Sequence, residues 1–386
     1  MVLKVSRRGE IPPFIVMDVL RAANDRAATG ADVLHLEVGQ PSTGAPAKVI
    51  EAAQAALRGD RIGYTEALGI PALRRRIAQH YREAYSVTVD SARIVLTTGS
   101  SGAFLLAFLA AFEPGDRVAL ASPSYPAYRN ILAALGLVPV KLPSGPEQRY
   151  QASVDLLARA AGPIDGLIVA SPANPTGTML AREEIVALAE YCAGAGIRLV
   201  SDEIYHGLTY GGIAATTALA ASDDAIIVNS FSKYFSMTGW RLGWMVVPPA
   251  LLRAVECLAQ NFFISPPTLS QHAALAAFDC HDELGGNLTR YAANRELLLA
   301  ELPAAGFDRL APADGAFYLY ADIAALTDDS VEFCRRMLAE TGVACTPGTD
   351  FDTARGHATL RISFAGSTAT MAEAARRLRA WRGGRG

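Results

Sequence analysis

The stretch Asn229-Ser230-Phe231-Ser232-Lys233-Tyr234-Phe235-Ser236-Met237-Thr238-Gly239-Trp240-Arg241-Leu242-Gly243 follows the apolar run Ala225-Ile226-Ile227-Val228 and carries a single lysine among hydroxyls. An apolar β-branched run that ends in polar residues reads as a buried strand bringing chemistry to its carboxyl end, where open α/β sheets place their ligands. Lysine is scarce here: besides Lys233 there are only Lys4, Lys48 and Lys141, in a chain that otherwise uses arginine. Lysine alone offers a primary amine that condenses with an aldehyde, and the flanking hydroxyls with Arg241 suit a phosphate. A solvated surface lysine is the ordinary alternative. That alternative does not fit a buried-strand pattern bracketed by Ser230, Ser232 and Arg241.

Amine and phosphate-binding groups together suggest pyridoxal 5'-phosphate. The spacing Ser230, Lys233, Arg241, Gly243 resembles the attachment-site signature of the class I aminotransferases, the fold type I pyridoxal-phosphate enzymes of the aspartate aminotransferase superfamily. The resemblance runs from Gly39 to Arg361 with each motif in family order. It implies a large domain with a mostly parallel sheet covered by helices and a smaller α+β domain.

The pattern along the chain leads to the same fold class. From about residue 90, short β-branched runs alternate with alanine- and leucine-rich stretches, as in an α/β layer. Strands are expected at residues 93–97, 117–121, 166–170, 198–201, 225–229 and 243–247. Helices are expected at 103–112, 125–135, 182–194 and 249–260. Beyond about residue 283 the rhythm becomes a helix at 290–302, short strands near 316–321 and 359–364, and a helix at 330–340. The division expected is an amino-terminal arm over 1–44 that joins the small domain, a large domain over 45–282 and a small domain over 283–386. Residues 33–38 read as extended.

Composition limits the partners. The 386 residues are 51% hydrophobic and 19% charged, with a net charge of −3 and pI near 6.1, so nothing favours nucleic acid or an anionic membrane. Arg376, Arg377, Arg379, Arg382 and Arg385 read as the outer face and end of a terminal helix rather than a nucleic-acid patch. Cys192, Cys257, Cys280, Cys334 and Cys345 lack disulfide or metal-ligand spacing, and the amino terminus lacks a signal-peptide apolar region. The apolar stretch 103–112 is too short to span a bilayer. A soluble cytoplasmic protein acting on small molecules is expected.

Several strand ends carry chemistry. Gly99-Ser100-Ser101-Gly102 opens an apolar helix, placing free N–H groups and two hydroxyls where an anion binds, although such turns also occur as plain α/β punctuation. Tyr125 could be a core aromatic, the proline-rich run from Ser171 to Gly177 a simple turn, and Asp202 a helix cap. Arg361 lies in a strand where an inward charge is costly without a partner, so a structural ion pair is the alternative there.

The resemblance assigns each a role. It implies that Gly99, Ser100, Ser101, Ser230 and Arg241 bind the cofactor phosphate, with Tyr64 reaching the phosphate of a neighbouring subunit. Tyr125 stacks on the ring, Asn174 and Tyr205 meet its phenolic oxygen, and Asp202 pairs with its nitrogen. Arg361, with Gly39 and Asn174, holds the substrate α-carboxylate. Lys233 binds the cofactor covalently and moves the α-proton. Cis bonds are implied at Ser122–Pro123 and Asn174–Pro175, and a homodimer with shared sites is expected. The activity implied is transfer of an amino group between an L-amino acid and a 2-oxo acid. Elimination, C–S cleavage or cyclisation on the same scaffold is the alternative, and a non-catalytic relative fits poorly because Lys233 is present. The stretch Ser100-Ser101-Gly102 lacks a lysine that some aspartate-using relatives direct at a distal carboxylate. His35, His80, His206, His272, His281 and His357 form no metal or triad pattern.

Overall fold

A computed structural model of the chain describes residues 3–59 and 62–383. After helix α1 (Ile15–Ala28), a short strand β1 (Leu34–His35) and helices α2 (Ala47–Gly59) and α3 (Pro71–Tyr85), the chain enters a seven-stranded sheet. Its strands are β2 (Ile94–Thr97), β3 (Arg117–Ser122), β4 (Val138–Pro143), β5 (Gly166–Ala170), β6 (Arg198–Asp202), β7 (Ile226–Ser230) and β8 (Gly243–Val246), in the order β2-β8-β7-β6-β5-β3-β4. Neighbours run parallel except β8, which is antiparallel to both β2 and β7.

The strands are apolar on both sides because helices cover both sides. Ile227 packs into one core with residues of α2, α3 and the helices α7 (Arg182–Ala195) and α9 (Thr268–Leu275). Its neighbours Ile226 and Val228 turn into a second core with α4 (Gly99–Ala111), α5 (Pro126–Leu135) and α8 (Pro249–Phe262). A five-residue helix, α6 (Val154–Ala158), precedes β5.

Helix α10 (His281–Glu301) leads into the smaller layer. There β9 (Arg309–Leu310), β10 (Tyr318–Asp322), β12 (Thr346–Pro347) and β13 (Thr359–Ser363) form an antiparallel sheet in the order β12-β13-β10-β9. Helices α11 (Ser330–Thr341) and α12 (Thr368–Gly383) share a third core with α10 and this sheet. Strand β1 joins it by pairing in parallel with β11 (Val343–Ala344), Leu34 opposite Val343.

Several elements depart from the sequence expectation. Helix α4 starts at Gly99, four residues earlier than expected, so the glycine-serine turn is the helix's own first turn. Strand β4 was not expected; it carries Pro139 and Pro143 and lies at the sheet edge, where proline's missing donor costs least. Helix α10 begins at His281 rather than near 290, despite Gly285 and Gly286, because packing of the buried Leu284 outweighs their low propensity. The helix therefore crosses the expected boundary at 282/283. Ser122–Pro123 and Asn174–Pro175 are cis, and so is Ser171–Pro172. In the terminal helix, Arg376, Arg377 and Arg379 pair with Glu373, Asp32 and Glu301, while Arg385 lies outside the described residues. Among the described residues no helix is long and apolar enough to cross a membrane.

Candidate active site

A cavity of about 450 Å³ opens at the carboxyl edge of the large sheet and is closed on its other side by the small layer. Lys233 reaches it from the loop after β7, and its Nζ donates to the backbone oxygen of Gly39 at 2.7 Å. Burial, then Arg361 and Arg241, push the ammonium down to about 8, against the opposing pull of Asp202. An amine so placed is partly neutral in mildly alkaline solution, as a nucleophile and proton carrier must be.

Asp202 ends β6 and is buried. Its Oδ1 accepts from the Ile204 N–H at 3.0 Å and its Oδ2 from the Tyr128 hydroxyl. Burial raises this carboxyl to about 6, although the bonds from Tyr128 and Ile204 and the charge on Lys233 favour ionisation. No cation is bonded to it among the described residues. A cationic ring nitrogen is the complement this carboxylate lacks.

Arg361 on β13 is 2% exposed. Its Nη1 donates to Asn174 Oδ1 at 2.8 Å and its Nη2 to the Glu37 carbonyl, while Nε has no partner. The guanidinium carbon lies 4.4 Å from the Tyr318 ring centroid and 4.8 Å from that of Phe351. No carboxylate of the described residues forms a salt bridge with it, so the structural ion pair considered from sequence is not made. A buried guanidinium facing a cavity without a counter-ion is suited to a ligand carboxylate.

The anion cup is the first turn of α4, which has no side-chain cap and no acidic residue. Gly99 has φ of +67°, and a Cβ there would stand 2.6 Å from Arg241 Nη2. A Cβ on Gly243 would stand 3.0 Å from the Ser100 nitrogen, so two glycines let strand, helix and arginine close around one point. Ser100, Ser101, Ser232, Thr238 and Arg241 line the cavity there.

Of the residues expected from sequence, Gly39, Ser100, Ser101, Tyr125, Asn174, Asp202, Tyr205, Lys233, Arg241 and Arg361 line this one cavity. Gly99 and Ser230 lie behind it: Ser230 Oγ contacts Ser232 Oγ at 2.8 Å and the Leu242 carbonyl at 3.0 Å. Tyr64 is 82% exposed and off the cavity wall.

Sequence reasoning missed Tyr128, Tyr318 and the arm residues Phe14, Val16 and Met17. Tyr128 follows Tyr125 by three positions at the start of α5, a spacing that could have flagged it. Phe14 meets Tyr125 edge-on at 5.7 Å, and α1 is held by Asp350, whose carboxylate accepts from the N–H groups of Ile15 and Val16 at 3.2 and 3.1 Å. No histidine lines the cavity. His206 has a structural place instead, with Nε2 3.0 Å from the Ser171 carbonyl and Nδ1 3.0 Å from the Tyr85 hydroxyl. Among the described residues no group of three or more His, Cys, Asp or Glu side chains is placed to hold a metal ion.

Comparison with known proteins agrees with this geometry. The sequence profile of aminotransferase class I and II matches residues 31–378. The chain is 54% identical over 381 residues to the valine–pyruvate aminotransferase of Mycobacterium tuberculosis, covering 98% of each. It is 33% identical over 379 residues to the aspartate/prephenate aminotransferase of Thermus thermophilus, covering 97% of each. A crystal structure of an aminotransferase from Mycobacterium tuberculosis superposes with a TM-score of 0.98 at 54% identity, covering 99% of this chain and 100% of that one. Aspartate aminotransferase from Thermus thermophilus with maleate gives 0.93 at 32% identity, covering 98% and 100%. With the profile spanning most of the chain and these relatives matched over nearly their whole length, this protein belongs to the class I and II aminotransferases and is an amino-group-transferring enzyme.

Proposed function

We propose that this aminotransferase uses pyridoxal 5'-phosphate held at Lys233 to exchange amino groups between an L-amino acid with an apolar side chain and a 2-oxo acid. The observation that carries the cofactor assignment is the set of unmet needs around one cavity: a primary amine, a buried carboxylate with no cation bonded to it, and a helix amino terminus beside Arg241. When bound, the group supplies an aldehyde for the substrate amine and a ring that accepts the charge left when the α-proton departs.

Every other part of the chemistry falls to side chains. Ser100, Ser101, Ser232 and Arg241 bind the phosphate, with Gly99 and Ser230 shaping the cup from behind. Tyr125 covers the ring, Asp202 holds the ring nitrogen's proton, and Asn174 and Tyr205 donate to the phenolic oxygen. Arg361 grips the substrate α-carboxylate beside Gly39 and Asn174, which fixes the orientation of the α-carbon. Lys233, once released by the incoming amine, takes the α-proton and returns it one atom along.

The apolar substrate follows from the rest of the wall. The charged residues lining the cavity are Asp202, Lys233, Arg241 and Arg361, each with a task already, and the remaining surface includes Phe14, Val16, Met17 and Val38. None of these residues supplies a cation for a second carboxylate. The similarity to a valine–pyruvate aminotransferase agrees with this choice.

The working unit is a homodimer. Leu57, Tyr64, Phe262 and Ile264 are 51% exposed or more, and the Thr65–Ser265 and Thr268–Gly63 bonds bring the segment of Tyr64 beside that of Ile264. A further cavity of about 630 Å³ opens beside Arg241, between Thr43, Trp240 and Pro267, where Tyr64 of a second copy can approach the phosphate cup. The arm over 1–44, a large domain and a small domain are the divisions, with the change from large to small falling inside α10, between Leu284 in one core and Tyr291 in the other, rather than at 282/283. A reducing, cytoplasmic setting suits the five free cysteines.

One mixing experiment tests cofactor lysine and shared site together. Lys233→Ala alone should lose about 10³-fold or more in turnover, because tether and proton carrier vanish at once. Exchanging subunits between Lys233→Ala and Tyr64→Phe protein yields hybrids with one doubly defective site and one intact site, so activity of the mixture should rise above the mean of the two parents. A Lys233→Ala protein as active as the wild type would sink the cofactor assignment, and no gain on mixing would sink the action of Tyr64 across the interface.

A further inference from the structure

We propose that Tyr318 is a positioning residue that carries the pairing of Arg361 with a carboxylate to the hydroxyl of Tyr205, and so to the phenolic oxygen of the cofactor. The inference rests on the cofactor assignment above. Tyr318 is 1% exposed on β10 and had no place in the sequence reading. It touches three site residues at once. Its ring lies 4.4 Å from the guanidinium carbon of Arg361, its hydroxyl is 2.6 Å from that of Tyr205, and a Cβ on Gly39 would fall 1.7 Å from the same hydroxyl. Gly39 is thus the residue that leaves room for this hydroxyl, and its carbonyl accepts from Lys233.

The direction of the hydroxyl pair follows from what each group must do. A hydroxyl has one proton to donate. If Tyr205 donates to the phenolic oxygen, the 2.6 Å contact is made by Tyr318 donating to Tyr205. Tyr318 has no other hydrogen-bond partner for its hydroxyl among the described residues, so the two groups act as one chain. Donation along a chain strengthens each bond in it.

Arg361 biases that chain. Burial pushes the Tyr318 hydroxyl up, and the Arg361 charge and the bond to Tyr205 pull it back down, the Arg361 share making it a better donor while the guanidinium has no carboxylate partner. A substrate carboxylate on Arg361 cancels this pull. Tyr318 then donates less, Tyr205 donates less, and more negative charge stays on the phenolic oxygen. The other charged or titratable groups around the pair are Asp202, Lys233, whose Nζ lies 5.8 Å from the Tyr205 ring centroid, Tyr125, and Tyr128, which donates to Asp202. Arg361 therefore speaks to the phenolic oxygen by two routes, one through Asn174 at 2.8 Å and one through Tyr318 and Tyr205.

The test compares wild-type holoenzyme with Tyr318→Phe, Tyr205→Phe and the double variant. The pH at which the cofactor's visible absorbance changes is measured with and without 3-methylbutanoate, a carboxylate that has no amine to react. Phenylalanine keeps the ring under Arg361, so the substrate KM should stay within about twofold while kcat falls about three- to tenfold. The absorbance transition should move to higher pH, by about half a unit in Tyr318→Phe and about one unit in Tyr205→Phe. The double variant should match Tyr205→Phe, because both act on one chain. The upward shift caused by 3-methylbutanoate should shrink in Tyr318→Phe. An unmoved transition in Tyr318→Phe, or shifts that simply add in the double variant, would overturn the relay. If Tyr205→Phe is also silent, or Lys233→Ala retains the transition, it is the cofactor assignment that fails instead.

Discussion

The two halves of the cavity are built differently. On the side proposed for the cofactor, the groups sit at or just beyond the end of a strand in one sheet: Asn174 after β5, Asp202 at the end of β6, Lys233 after β7, and Ser100 in the first turn of α4, which follows β2. On the side proposed for the substrate, Phe14 and Met17 come from the arm, Gly39 from the segment after β1, and Tyr318 and Arg361 from two strands of the small sheet. The first half is fixed by local sequence on a rigid frame. The second exists only when segments more than 300 residues apart have docked, as with Ile15 and Asp350. The arm residues Phe14 and Met17 can therefore vary without disturbing a strand end, whereas Tyr318 and Arg361 touch Tyr205 and Asn174 and tie the two halves together.

Arg361→Leu should separate the halves most sharply. It removes a bidentate, charge-assisted grip that is buried and already desolvated, worth roughly 2 to 5 kcal/mol to a bound carboxylate. Substrate KM should rise accordingly, while cofactor affinity and the cofactor's absorbance intensity stay close to wild type. Equal damage to cofactor loading would mean the halves are not independent.

Asp202→Asn examines the other side and has a pH signature. Burial raises the folded carboxyl to about 6 from an ordinary value of 3.8, so without cofactor the folded chain keeps a proton that the unfolded chain releases. An acid shifted upward makes stability fall as pH rises between those two values and leaves it level above them. For a shift of this size the loss is on the order of 3 kcal/mol. Between pH 4 and pH 7, denaturant unfolding of cofactor-free protein should show a smaller loss in Asp202→Asn than in the wild type, the remainder coming from the neighbouring Glu203, which burial raises to about 8. Adding pyridoxal phosphate should reduce it, since a ring cation favours the carboxylate. Identical pH slopes in the two proteins would mean Asp202 is not held under this tension.

The same contrast explains what the sequence made legible. Strands β2, β3, β5, β6, β7 and β8 fall within one residue of where apolar runs place them at either end, because a strand buried on both faces has little freedom in composition. Edge strand β4 lacks that constraint, with two prolines and exposed Val138, and it went unseen. Tyr318 was beyond reach for another reason. Its closeness to Arg361 depends on the antiparallel register of β10 and β13, which sets Tyr320 opposite Arg361 and Tyr318 diagonal to it. Nothing within either segment fixes that register. Phe14 and Met17 depended likewise on where α1 docks. Asn174, Asp202, Lys233 and Arg241, by contrast, lie in short motifs that could be matched one at a time, and all four line the cavity.

Asp350→Ala is the mildest probe and addresses the docking itself. The residue before α1, Phe14, gives the helix no side-chain cap; the cap comes instead from Asp350, whose two oxygens accept from Ile15 and Val16. Losing a capping acceptor costs about 1 kcal/mol, enough to fray a helix end without unfolding the protein. The bond from Arg129 to the Asp350 backbone oxygen, at 2.6 Å, survives the substitution, so the small-domain loop should hold its place. The effect should therefore concentrate on Phe14, Val16 and Met17, the arm's share of the cavity wall. A rise of about two- to fivefold in KM for an apolar amino acid is expected, with kcat and cofactor absorbance nearly unchanged. A small polar substrate such as serine, which has little apolar side chain to lay against the arm, should lose less. If both substrates weaken equally, the arm serves to close the site rather than to choose what enters it.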